Sequence, residues 1–419
     1  MILAPVRRDR IDALRHLLAS LNGLPGTANP QNELVPFARF ENIHVARFVI
    51  LDDQTLGDRR AYPEARFPEE QILLAFIADC DGSSELLLRR LVAEAGDGLR
   101  LIFGHCEEMD DTTDLLAWMQ QRNVEPTTYY VNWVGRTVRQ VREEAQLHTS
   151  LQAVLPKLME TSPTQLHRAL REALLASGLR LTPIAGKNLL DILRLICGLL
   201  SLPLILLILS PLLILGAPLF LVTLRQKETS DPIITPRVDA TRIRDMSALE
   251  DHDVTNPFSA IGSLKPGAFR RYLTKAILYT VNWSTAYIYT QGRLARVGTI
   301  HFARWVLIDD DRRVVFASNY DGSLESYMDD FINKVAFGLN LVFSNGIGYP
   351  ATDYLISGGA SREHEFKNFL RRHQVPTDVW YKAYPGLTTR DLARNARIRA
   401  GFERSYLGED DARRWLAEI

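Results

Sequence analysis

From Leu195 to Leu224 the chain contains no Asp, Glu, Lys, Arg or His. A run of about 20 apolar residues spans a bilayer as a helix, and a surface helix of a soluble protein carries a polar side. The run therefore predicts a membrane segment, bounded at 188–227. Pro203, Pro211 and Pro218 interrupt it, and each removes a backbone donor from a helix. Two arrangements are open: one kinked, tilted span, or a re-entrant hairpin that enters and leaves by the same face. A single helix over the run would measure about 45 Å, longer than a hydrocarbon core of about 30 Å. The hairpin is preferred. Arg168, Arg171, Arg180, Lys187 and Arg194 precede the run, and Arg225 and Lys227 follow it. A single span tends to concentrate basic residues on one side.

Self-comparison reveals a repeat around that segment. Residues 43–53 read IHVARFVILDD and residues 300–310 read IHFARWVLIDD, identical at seven of eleven positions. The match continues through Asp81-Gly82-Ser83 with Asp321-Gly322-Ser323, then Leu99–Phe103 with Leu339–Phe343, then Pro126-Thr127 with Pro376-Thr377. Stretches 43–51, 72–78, 99–104 and 127–134 are predicted as strands from their β-branched and apolar content. Helices are predicted at 8–21, 83–94 and 112–122. Thr137 and Gln140 make a capping box before a last helix. The second copy repeats this, with strands near 300–308, 313–318, 339–344 and 378–384, and helices near 268–286, 323–336 and 361–373. The expected fold is α+β: two tandem ferredoxin-like sandwiches, packed as a pseudo-dimeric α+β barrel. The expected domains are 1–148 and 267–419, with a helical connector at 149–187 and a Pro-punctuated linker at 228–266.

Composition narrows the setting. A net charge of -1 over 419 residues gives no overall bias toward nucleic acid. Three cysteines, Cys80, Cys106 and Cys197, make no disulfide framework or zinc spacing. A reducing compartment follows, and the N-terminal residues lack a signal-peptide core. The expected location is the inner membrane, with both lobes facing the cytoplasm.

The repeated polar residues are the candidate site. His44 and His301 each precede an arginine, Arg47 or Arg304, by three positions. In a regular strand these point to opposite faces, so they form one site only where a bulge intervenes; otherwise each histidine is a structural hydrogen-bonding residue at a sheet end or domain contact. Arg47 and Arg304 at the mouth of a pocket, with Tyr381 and Tyr384 on its wall, would bind a carboxylate-bearing apolar ligand. The aromatic cluster on the last strands is otherwise core packing. Asp52-Asp53 and Asp309-Asp310 read as turns, and Ser83 or Asp81 as a helix cap. His105-Cys106 has no counterpart in the second copy, and no metal site is assigned.

Ser318-Asn319-Tyr320-Asp321-Gly322 resembles the Gly-x-x-Asp-Gly motif of dye-decolourising haem peroxidases, with Ser in place of the leading Gly. The resemblance implies two joined ferredoxin-like domains, haem, and Asp321 as distal acid assisted by Arg304, with His301 nearby. His364 and His373 follow sooner than that family's axial histidine. Across most of its length, with Asn256-Pro257-Phe258 and Leu264-Lys265-Pro266-Gly267, the chain resembles bacterial membrane-associated proteins with duplicated ferredoxin-like domains. Two functions are thus expected. One is a membrane-anchored binding or accessory protein for a lipid, a fatty acid or a partner enzyme. The other is a peroxidase-type oxidoreductase. One broken apolar segment encloses no pore unless the chain forms a homo-oligomer.

Overall fold

The computed structural model describes residues 1–158, 162–184, 186 and 188–419. Lys187, one of the basic residues before the apolar run, lies outside them. The protein is mixed α/β with one long apolar helix. The first half runs β1 (Ile2–Pro5), α1 (Ile11–Ala19), a small hairpin of β2 (Asn22–Leu24) and β3 (Thr27–Ala28), β4 (Ile43–Leu51), β5 (Leu73–Cys80), α2 (Ser84–Phe103), α3 (Leu115–Gln121), β6 (Thr128–Val131) and α4 (Val138–Val154). Between the halves lie α5 (Pro163–Ala176), α6 (Leu189–Ser230) and α7 (Ala240–Ser247). The second half runs β7 (Thr255–Ser263), α8 (Ala268–Tyr287), β8 (Ile300–Ile308), β9 (Arg313–Asp321), α9 (Leu324–Phe343), a short β10 (Thr352–Asp353) and β11 (Ser357–Gly358), α10 (Glu363–His373), β12 (Val379–Lys382) and α11 (Thr389–Glu403). Helix α12 (Glu409–Leu416) ends the chain.

The two sheets have orders β1-β5-β4-β12-β3-β2 and β6-β8-β9-β7. Each is completed by the other half. Strand β12 pairs antiparallel with β4, Trp380 opposite Arg47. Strand β6 pairs antiparallel with β8, Tyr129 opposite Arg304. The expected boundaries at 148 and 267 therefore do not separate two domains, because the halves exchange their last strands. The central strands are buried on both faces, which explains their near-continuous apolar sequence. In β4, Phe48 and Ile50 pack under α2, and Val49 and Leu51 meet Val306 and Val315 of the other sheet.

Three predicted elements change. Residues 99–104 and 339–344 form the last turns of α2 and α9, with only Gly104 and Ser344 beyond them. Leu99, Ile102 and Phe103 are buried while Leu101 is 56% exposed, a helical spacing that six residues are too few to distinguish from a strand. The stretch 228–266 is not a linker: it holds the end of α6, α7 and β7. Pro257 is tolerated because β7 ends its sheet, with β9 as its one neighbouring strand there, and the bridge on its other side, Ala260 to Gln374, lies beyond the proline. The apolar segment is not a hairpin but one continuous 42-residue helix, about 63 Å long. Its Asn188–Asp191 capping box is formed. At Pro211 the missing N–H is replaced, since the Ser210 hydroxyl donates to the Leu207 carbonyl at 2.7 Å.

Both ends of α6 are tied to the body. Before it, Thr182 donates to Glu143 through N and Oγ1, each at 2.7 Å. After it, Asp231 accepts from Lys265 at 2.8 Å and Arg270 at 2.6 Å. The buried Glu228 carboxylate accepts from Thr352 Oγ1 at 2.8 Å and the Tyr354 amide at 2.7 Å. Between these, α6 runs along α8. Trp283 Nε1 donates to the Gly198 carbonyl at 2.8 Å, and Phe220 meets Phe269 at 5.7 Å.

The exchange predicts that residues 1–148 expressed alone leave the β4 edge bare and β6 without a partner. That fragment should be aggregated or unfolded by circular dichroism, and co-expression with 255–419 should recover it. A folded, monomeric 1–148 would contradict the exchange.

Candidate functional site

The repeated histidines and aspartates form two matched pairs. The ladder slips between Ile43 and Val45 and between Ile300 and Phe302, so a bulge does occur at each histidine. Both imidazoles line one cavity of about 30 Å³, roughly the volume of one water. His44 Nε2 donates to Asp81 at 3.0 Å, and the Tyr384 hydroxyl donates to His44 Nδ1 at 3.0 Å. His301 Nε2 donates to Asp321 at 2.6 Å. These tautomers follow from the partners, because a carboxylate only accepts. Each aspartate also accepts from the first residue of a last helix: Val138 N to Asp81 at 2.9 Å, and Thr389 N to Asp321 at 2.7 Å. The pairs thus tie a strand end to the start of α4 or α11. The cap of α2 or α9 is left to Ser83 and Ser323.

Asp321 is therefore fully engaged, also accepting from Thr255 and Thr389 hydroxyls. Burial pushes its carboxyl up, but the bonds from His301 and Thr389 hold it below the usual carboxylate range. Burial lowers His301 despite Asp321 beside it. These residues do not fit a haem: the acid bonds to its own histidine, and the space beside them is the size of a water. His364 is exposed, and His373 donates from Nδ1 to the Phe369 carbonyl at 2.8 Å.

The arginines do not stand at a pocket mouth. Arg47 is 2% exposed and reaches from β4 into the other sheet. It donates to the Phe258 and Ser318 carbonyls at 2.9 Å each and to Ser259 Oγ at 3.1 Å. Burial draws its guanidinium down to about 9. Arg304 crosses the other way to Asp79 and the Ala78 carbonyl. Burial lowers it, and Asp79 more than offsets this. Trp380 covers Arg47 at 4.8 Å and Tyr129 covers Arg304 at 5.2 Å. Tyr381 stacks on Phe37 at 5.0 Å in the first core. Tyr384 is buried against His44. Among the described residues, the three grooves of ligand size are lined by none of Arg47, Arg304, Tyr381 and Tyr384. Cys106 is buried and its thiol pushed up to about 12 by burial, which makes it unreactive. No group of three or more His, Cys, Asp or Glu among the described residues is placed to hold a metal ion.

Three grooves elsewhere have volumes of ligand size, about 520, 700 and 580 Å³, and the last has the most apolar lining. Between α8, α9 and the loop 291–298 is a groove of about 580 Å³, within the ordinary range of about 300–1,000 Å³ for ligand sites. Val281, Tyr289, Trp305, Phe331, Val335 and Phe343 line it. Arg293, Arg296 and Lys334 surround it. It owes its shape to a break in α9 at Val335 (φ -144°, ψ 27°), which recurs in α2 at Ala95 (φ -134°, ψ 19°). In the register that matches Asp81 with Asp321, Gly98 matches Gly338.

These two glycines meet different surroundings. A Cβ on Gly98 would lie 2.0 Å from the Leu34 carbonyl oxygen, whereas one on Gly338 would meet nothing within 4 Å. In the first half the connection 20–42 between α1 and β4 folds over α2 and buries Val35, Phe37 and Phe40. In the second half the connection 288–299 is shorter and leaves the matching place open. Sequence reasoning missed this site. The available signal was a mid-helix glycine in each copy beside connections of unequal length.

Comparison with protein-family models, with curated proteins and with solved structures finds no match.

Two predictions follow from this geometry. Gly98→Leu forces the 20–42 connection off α2 and should cost about 1–3 kcal/mol, the usual range for overpacking. Gly338→Leu should be neutral or stabilising, by up to about 1 kcal/mol for loss of a helical glycine; equal melting shifts would contradict the asymmetry. For pH, the folded-state values of His301 and Asp321 are both depressed. Their contribution is present above the unfolded values and lost on acidification, beginning below about pH 6.5 for His301. Denaturant unfolding between pH 7 and 5 should show a shallower loss in His301→Gln than in wild type. Parallel curves would refute a depressed His301.

Proposed function

We propose that this chain is a membrane-attached binding protein for an apolar ligand, a lipid or fatty acid, working at the bilayer surface. We read it as a tandem duplication of a ferredoxin-like unit whose copies have traded their last strands. Matched bulges at His44 and His301, matched helix breaks at Ala95 and Val335, and matched aspartate ties support the duplication.

The attachment rests on α6. Its apolar stretch is exposed on the body, with Leu207 at 68% and Leu215 at 80% exposure. It is long and apolar enough to cross a membrane. Yet Thr182 and Asp231 are both held by one interlocked body. The six residues 183–188 reach at most about 21 Å when extended, short of a core of about 30 Å. A bilayer therefore meets α6 side-on, in the manner of a monotopic helix, and both halves stay on one face. The unpaired Cys80, Cys106 and Cys197 and the basic residues at both ends of the run point to the cytoplasmic face of the inner membrane.

The single observation that carries the binding function is the open groove at Gly338, where the first half is filled by its own chain. Helix α8 belongs to both features: Trp283 meets α6, and Val281 lines the groove. A ligand dissolved in the leaflet thus has a short path into the protein.

Lysine in place of Leu207 and Leu215 tests the attachment by putting two charges into the apolar surface that meets the bilayer. The double variant should leave the membrane pellet and fail to float with vesicles, while keeping the wild-type circular dichroism. Retention of full membrane binding would refute attachment through α6.

A further inference from the structure

We infer that the groove between α8 and α9 takes an acyl chain ending in an anionic head group, with Arg293 and Arg296 holding the anion. This rests on the apolar-ligand reading above and adds the chemistry of the ligand's polar end. The state of the cations, the lining of the groove and the sign of its unpaired groups carry it.

The first is the state of the cations around the groove. Lys334 is already paired with Asp330 at 2.7 Å. Arg293 and Arg296 are exposed, and neither makes an ion pair or side-chain hydrogen bond among the described residues. They are carried by one tight turn: Leu294 and Val297 bond to each other through both backbone groups at 2.9 Å, and Ala295 sits at φ 52°. The turn holds two forked donors beside one opening, a geometry suited to a carboxylate or phosphate.

The second observation is Trp305. Its side chain lines the groove, the residue is 5% exposed, and its Nε1 is buried with no hydrogen-bond partner. Because Nε1 is shut off from the open space of the groove, Trp305 contributes ring carbon to the apolar floor.

The third is the sign of the polar groups. The charged groups without a partner at the groove, Arg293 and Arg296, are both donors. The occupant must therefore bring acceptors and few donors. A peptide segment of the kind that fills the first half would bring backbone N–H groups, which need acceptors of their own. A fatty acid or an acyl phosphate ester brings oxygens at one end and hydrocarbon at the other, matching a cationic rim over an apolar floor.

The test uses the full-length protein in amphipol with 11-(dansylamino)undecanoic acid and its methyl ester, which share a chain and differ in charge. The acid should bind with enhanced, blue-shifted fluorescence. The double variant Arg293→Gln, Arg296→Gln should raise its Kd at least tenfold and change the Kd of the ester less than twofold. Gly338→Trp, which fills the groove from a position with open space around it, should abolish binding of both. If acid and ester bind wild type equally, or the arginine variant leaves the acid unaffected while Gly338→Trp blocks both, the head-group inference fails and the apolar-ligand reading stands. If neither probe binds, or Gly338→Trp changes nothing, the apolar-ligand reading itself fails. Native mass spectrometry of protein taken from phosphatidylglycerol-rich membranes separates the sources. A free fatty acid mass assigns a soluble ligand and a phospholipid mass a bilayer one, both as expected; a bound peptide overturns the inference.

Discussion

Two buried arginines crossing between the sheets set the terms for the rest of this structure. Arg47 leaves β4 to bond carbonyls of β7 and β9, and Arg304 leaves β8 to meet Asp79 on β5. A guanidinium in such a place is tolerated only when its donors are matched. The matching groups come from the opposite half in both cases. The aromatic lid over each arginine, Trp380 or Tyr129, sits on the exchanged strand beside it. Charge satisfaction and strand exchange are thus one device, and neither half can satisfy its own arginine.

That interlock decides how the apolar helix can be used. A chain with two independent lobes could place one on each side of a bilayer. Here both attachment points of α6 belong to a single body, and the helix lies along α8 between them. Its leucines are exposed along its length. Helix α8 also lies between the groove and α6.

The two halves also show how one scaffold yields a filled site and an open one. Both long helices break at the same place, and both carry a glycine three residues later. The 20–42 connection packs its backbone against Gly98. The shorter 288–299 connection cannot reach Gly338, and instead ends in a turn bearing Arg293 and Arg296. A difference in loop length, which costs little in closure entropy, separates a structural core from a cavity of ligand size.

The sequence by itself determined the elements whose signal is local. The uncharged run reads as membrane-compatible because charge is costly in hydrocarbon wherever the chain goes. The strands at 43–51 and 300–308 and the Thr137–Gln140 box read correctly because their patterns span enough residues. Pairing was not legible: β6 and β12 look alike, and nothing local says that each joins the other half. The partners of His44, His301, Arg47 and Arg304 were not legible, because burial and partners are non-local properties. The hairpin was favoured because basic residues flank both ends of the run, whereas α6 runs unbroken through Pro203, Pro211 and Pro218. Only the tertiary structure decided that the halves interlock, that both ends of α6 return to one body, and that the groove stands open at Gly338. Each of these depends on which distant surfaces meet, and the free energy of such a meeting is not carried by either segment alone.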